Sequence, residues 1–201
     1  MSIAQAVPFD PARAWPQILI GALFRPRALF GSLQAGPVGP AAALTIACMA
    51  WPAVAAVLTD DELYLGHVPR VLARGLMLWV FGTVWLLGPQ AALFRLGMRL
   101  FGARQPISLA QRGMAAFAVL LAVFGVIICI AGTRPESAPF VIVWYLALTA
   151  VFGLGTYALY ALAEAFGLRG WKALAAVIAF EAIHGIALVI ALGVLFTLVS
   201  P

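Results

Sequence analysis

The feature that most limits what this chain can become is the spacing of its charges. Asp, Glu, Lys and Arg are missing from 28–59, 75–94, 113–133 and 137–163, and beyond Lys172 only Glu181 interrupts a run that continues to Pro201. A bilayer core is crossed by about 20 apolar residues in a helix, so each run is long enough to span it. Composition points the same way. Of the 201 residues, 65% are hydrophobic and 9% are charged, whereas soluble domains carry about 25% charged residues. The runs predict five spans, at roughly 38–58, 75–94, 113–133, 138–162 and 173–198. Strands of a membrane β-barrel alternate apolar and polar side chains over about 10 residues, and these runs do not alternate. The expected fold is therefore all-α, an integral membrane bundle of five transmembrane helices forming one domain over 38–201. Pro52 and Pro89 fall inside spans and predict kinks, because a proline frees the carbonyl four residues back.

The charges outside the spans predict orientation. Arg13, Arg25, Arg27, Arg95, Arg99, Arg104, Arg112, Arg169 and Lys172 fall on one side; Arg70, Arg74 and Arg134 fall on the other, with the acidic run Asp60, Asp61 and Glu62. Basic residues stay with the cytoplasm, which puts the N-terminus inside and the C-terminus outside. The Ala- and Arg-rich composition looks bacterial, so the expected location is the inner membrane. The apolar stretch WPQILIGALF is ten residues long and is followed by RPR, where a signal peptide would carry small residues for cleavage. The same bias explains the net charge of +5 without nucleic acid as a partner.

Residues 1–37 read as a cytoplasmic, interfacial amphipathic segment. Trp15, Ile18, Leu19, Ala22 and Leu23 recur at helical spacing, and Asp10 before Pro11 resembles a helix start. Pro26 ends or bends the helix. The expectation is a helix lying in the headgroup region, with Trp15 at headgroup level and Arg13, Arg25 and Arg27 on anionic phosphates; a docking surface for a partner is the alternative.

Several segments resemble the Yip (Ypt/Rab-interacting protein) superfamily of small membrane proteins. FRPRALFGSLQAGPVGP is similar to the segment before that family's first span, through Pro26, Phe30, Gly36 and Pro40. LFGARQPISLAQ, with Gly102 followed by Ala103, resembles its glycine-rich loop before the third span. Trp144, and LAEAFGLRGWKAL with Glu164, Gly167 and Ala173, resemble its fourth span and last loop. The resemblance covers about 150 residues and implies a bacterial-type member: a five-helix bundle with a cytoplasmic N-terminus. In eukaryotes it would imply vesicle traffic with Rab GTPases.

Motifs for chemistry are sparse. The glycines of GLGTYALYALAEAFG follow no strand, so no dinucleotide fingerprint is read there. Neither a Gly-x-Ser-x-Gly elbow nor a Cys–His arrangement is present. Cys48 and Cys129 each fall inside a span, where thiols act as small hydrophobes. Enzymatic function is not expected, the question of a cofactor stays open and no metal ligand set is visible. Thr59 is a candidate cap for a short helix in TDDELYLGH, with Glu62 at the capping-box position.

Glu181 and His184 are the exception. Spaced i, i+3 they share a helix face, and a carboxylate facing lipid would cost several kcal/mol, so both should face the bundle. Thr45, Gln90 and Tyr157 lie at similar depth by residue count and are the candidate partners. Gly185 and the glycines Gly153 and Gly155 are expected to admit neighbouring helices. Four roles stay open for the pair: a polar clasp between helices, a proton or substrate pathway, half of a metal site, or contact with a cofactor or partner subunit. Two functions follow. One is a non-enzymatic scaffold, assembly factor or accessory subunit for other membrane proteins. The alternative is a small transporter or channel component using the pair. Expected partners are the lipid bilayer and other membrane-protein subunits or further copies of the chain.

Overall fold

The computed structural model describes residues 15–31, 33, 36–133 and 137–199. Among them every regular element is helical. In chain order these are α1 (Trp15–Phe24), α2 (Pro26–Gly31), α3 (Gly39–Leu58), α4 (Asp61–Tyr64), α5 (Val68–Trp85), a π-helical turn (Leu86–Gln90), α6 (Ala91–Leu100), α7 (Ile107–Gly132), α8 (Ala138–Ala165) and α9 (Trp171–Val199). Helix α3, the continuous Val68–Leu100 unit, α7, α8 and α9 are long and apolar enough to cross a membrane. The chain is an all-α integral membrane protein with five such helices. The Val68–Leu100 unit, the start of α7 and the end of α8 extend past the charge-free stretches.

The two prolines act differently. Pro52 sits within an unbroken α3 and packs beside Gly125 of α7, where an added Cβ would lie 3.0 Å from the proline Cβ. Pro89 sits in the π turn. There the backbone N–H of Ala91 bonds the Gly88 carbonyl, and the Leu87 carbonyl accepts instead from Gln111 Nε2 of α7 at 3.0 Å. A side chain from a neighbouring helix thus supports a backbone carbonyl within the irregular turn.

Helix α7 is central. Half of its apolar window is buried, against 11% for α8 and for α9. It packs against α3 and α8 most extensively. Small residues set the separations. A Cβ on Gly113 would lie 2.5 Å from Leu162 Cδ2, and one on Gly155 would lie 3.1 Å from the Phe117 ring. A Cβ on Gly97 of α6 would lie 3.3 Å from the Phe180 Cβ and 3.5 Å from the Ala176 carbonyl. Without a hydrophobic force between helices in lipid, such close approach is the main source of their association.

The N-terminal segment is interrupted next to Pro26. It forms two short helices that break at Arg25. Ile18, Ala22, Pro26 and Phe30 are buried, α1 lies on α7 and α2 lies on α8. The apolar stripe seen in the sequence therefore faces protein, while Ile20 and Phe24 point outward. Arg27 is engaged by Glu164 of α8, Nε to Oε2 at 3.1 Å, and its guanidinium stands over the Tyr160 ring at 5.7 Å. That carboxylate holds the guanidinium above its usual pKa. Arg25 is exposed. Asp10, Pro11, Arg13 and the Trp15 side chain lie outside the described residues.

The connections show ordinary stop signals. Gly102 (φ 97°) and Gly167 (φ 88°) end α6 and α8 in the left-handed region that glycine adopts without strain. At the acidic connection, the short helix α4 is capped by Asp60, whose side chain accepts from the Glu62 N–H at 3.0 Å. Thr59 is not the cap. Its hydroxyl turns back to the Ala55 carbonyl at 2.8 Å, as threonines at a helix end do. Arg74 bridges Asp60 and Glu62 at 3.3 and 3.0 Å.

Candidate intramembrane site

Helix α9 enters the bundle on a close-packed stripe: Ala173, Ala176, Val177 and Phe180 are buried. Their i, i+3, i+4, i+7 spacing is one helical face. Phe180 is held edge-on by Phe94 (5.2 Å between centroids), which also meets Phe166 edge-on (5.4 Å). From Glu181 onward, through residue 194, none of the described α9 side chains is buried. The helix parts from its neighbours there, and a cavity of about 460 Å³ opens between α5, α8 and α9 over a floor from α3 and α7. Glu181, His184, Gly185, Gln90, Trp85 and Thr156 line it.

His184 lies one turn beyond the buried stripe and is half-buried. Its ring stacks on Phe180 at 5.2 Å and an interplanar angle of 16°. Its Nε2 accepts the indole N–H of Trp85 at 3.0 Å. An indole nitrogen only donates, so this contact fixes the tautomer: Nε2 carries the lone pair and a neutral imidazole holds its proton on Nδ1. Trp85 is the last residue of α5, and Phe81 stacks behind it at 5.6 Å. The π turn that follows brings Leu86 and Gln90 to the same cavity. Such single π turns recur at functional sites because one extra residue re-aims the side chains around it.

Glu181 is half-buried and accepts from the Thr156 hydroxyl at 3.3 Å. That is long for an O–H···O bond, which is usually 2.5–3.0 Å, so the carboxylate retains most of its capacity for other donors. Among the described residues no salt bridge reaches it.

The expected partners separate. Gln90 is buried and shares the cavity with Glu181 and His184. Thr45 is buried elsewhere, with its hydroxyl on the Ala41 carbonyl of its own helix at 2.9 Å. Tyr157 is 42% exposed; Thr156, one residue earlier and about 100° round the helix, is the one that meets Glu181. Gly185 does not admit a helix, since a Cβ there would meet open space, and so would one on Gly153. Trp85 was legible in the sequence as an aromatic on a span, but not as the donor to His184. Counting residues from the arginine end of each span would have put Trp85 near the depth of His184. Among the described residues no three His, Cys, Asp or Glu side chains come together.

Compared with protein-family models, curated proteins and solved structures, the chain matches none of them.

Proposed function

We propose that the chain is a non-enzymatic membrane protein that binds or conducts a small species at Glu181 and His184, as a transporter or channel component. One observation carries the reading: the ionisable pair of α9 faces a cavity of about 460 Å³ instead of being closed between helices. A structural clasp would shut on its polar groups, because an unfilled polar gap in a bilayer forfeits both packing and hydrogen bonds. The volume falls in the range of small-ligand sites, about 300–1,000 Å³. The basic residues of the connections support an N-terminus in the cytoplasm, with Arg25 at the headgroups.

The test is reaction with dicyclohexylcarbodiimide, an apolar reagent for carboxyls in membranes. In native membranes the folded chain should be modified at Glu181, and E181Q should lose that modification. A Glu181 that reacts only after unfolding in dodecyl sulfate would mark a closed clasp and end this reading.

A second reading is a scaffold or accessory subunit, possessing partners of its own kind or other membrane proteins. The low burial of α8 and α9, 11% of each apolar window, supports it by leaving two broad apolar faces for other helices. The Yip-like segments favour the same role. Stoichiometric co-purification of a second membrane protein in mild detergent, lost on changing exposed α9 residues such as Ile186 and Val189, would favour it.

A further inference from the structure

We infer that the cavity takes a lipophilic organic cation, an ammonium or phosphonium centre carried on an apolar body. This rests on the ligand-cavity reading above and names the class of ligand.

The first argument is charge. Glu181 is the one carboxylate among the lining residues, and no lysine or arginine lines the cavity with it. On its own helix the nearest basic side chain is Lys172, nine residues away and so about 13 Å along the axis. His184 does not serve as counter-ion, because the Trp85 N–H bonds its Nε2 lone pair. An ionised carboxylate at this depth needs a positive partner, and the described protein around it supplies a hydroxyl at 3.3 Å. A cation entering the cavity would supply the positive partner that the lining lacks.

The second argument is the wall. Phe81, Trp85, Phe117, Phe152 and Phe180 all line the same cavity. Aromatic faces attract cations through their quadrupole, most strongly where water is excluded, and they suit alkylated ammonium groups that cannot donate several hydrogen bonds. The alternatives fit less well. An anion would meet Glu181 unscreened. A bare divalent metal needs six or more oxygen ligands or a cluster of nitrogen and sulfur donors, and the wall is mostly hydrocarbon.

The third argument is access. Phe152 is 68% exposed and Gly185 is exposed, so the rim between α8 and α9 opens sideways. A ligand with an apolar body can reach it from the bilayer. Another pocket, about 500 Å³ between α3 and α7, offers the contrast: its lining of Leu44, Ala47, Cys48, Trp51 and α7 residues includes no ionised group, so charge has no reason to settle there.

The test uses two ions of matched shape and opposite charge, tetraphenylphosphonium and tetraphenylborate, with the full chain in mild detergent and calorimetry as the readout. Phosphonium should bind saturably at one per chain, and borate at least tenfold more weakly. E181Q should weaken phosphonium at least tenfold, with E181D retaining part of the affinity; elution as a single symmetric peak in gel filtration guards against misfolding. Because the Gly185 Cβ position is open space, G185L should fill the cavity and remove binding while leaving the packing intact. If both ions bind alike and E181Q changes neither, the cation assignment fails while the ligand cavity stands. If neither ion shows binding that G185L removes, the cavity reading fails and this inference with it.

Discussion

At the end of the bundle that carries most of the arginines, α9 buries Ala173, Ala176, Val177 and Phe180, and α8 buries Ala158, Leu159 and the run Ala161, Leu162 and Ala163. Toward the acidic end the same two helices change character. In α9 Ile186, Val189, Ile190 and Val194 are exposed, and in α8 Ile142, Val143, Leu146 and Phe152 are exposed. Hydrophobicity does not distinguish the halves, since both are apolar. Side-chain shape does. Gly97, Gly113 and Gly155 let backbones approach in the first half, while in the second the large aliphatic residues face outward. Lipid solvates those residues as well as protein would, so nothing forces the helices back together. The cavity lies where the first regime gives way to the second, immediately beyond Phe180.

The contrast can be broken by mutation. The largest effect belongs to the packed half: Phe94→Ala removes a ring buried among Phe166 and Phe180 and should lower stability by about 3 kcal/mol. Ile190→Ala, in the open half, should change it by less than about 0.5 kcal/mol. Equal losses in dodecyl sulfate titrations of the two variants would mean that the open half is packed by another subunit.

Gln111→Leu comes next. It strips the donor from the Leu87 carbonyl at the π turn and should cost about 1–2 kcal/mol. The backbone amides of residues 86–91 should then exchange faster. Unchanged exchange there would mean that the turn satisfies itself.

Gly185→Ala should do the reverse. Its new methyl meets open space, and alanine favours helix over glycine by about 1 kcal/mol, so the unfolding midpoint should rise slightly. A fall would show that the cavity is closed against Gly185 in the membrane. Arg27→Ala should have the smallest effect. It removes an exposed pair with Glu164, and the slight drop in unfolding temperature should disappear in high salt, where such pairs are screened. A drop that persists at high salt would point instead to packing of the arginine stem on Tyr160.

Much of the architecture was legible because a bilayer imposes a simple rule on sequence. Charge-free runs of about 20 residues have few fates, and the five helices follow them. The site was legible only in part. Counting residues gives depth along a span, and depth brought Gln90 into view beside Glu181 and His184. It does not give rotation. One residue turns the helix by about 100°, which is the difference between Tyr157, outside the cavity, and Thr156, on Glu181. Thr45 shows a second limit: a hydroxyl in a helix can satisfy itself on its own backbone, and no pattern of neighbours reveals that choice. The N-terminal stripe shows a third, because an apolar face looks the same whether it meets lipid or α7.

The sequence by itself determined that this is a membrane bundle of five helices with a carboxylate and an imidazole one turn apart in the last. Periodicity and the exclusion of charge from lipid are local properties, and they survive without tertiary information. Only the tertiary structure decided that Trp85 binds His184 and that the helices part beyond Phe180. Those outcomes depend on azimuth and on which small residues meet across an interface, and neither is encoded within a single span.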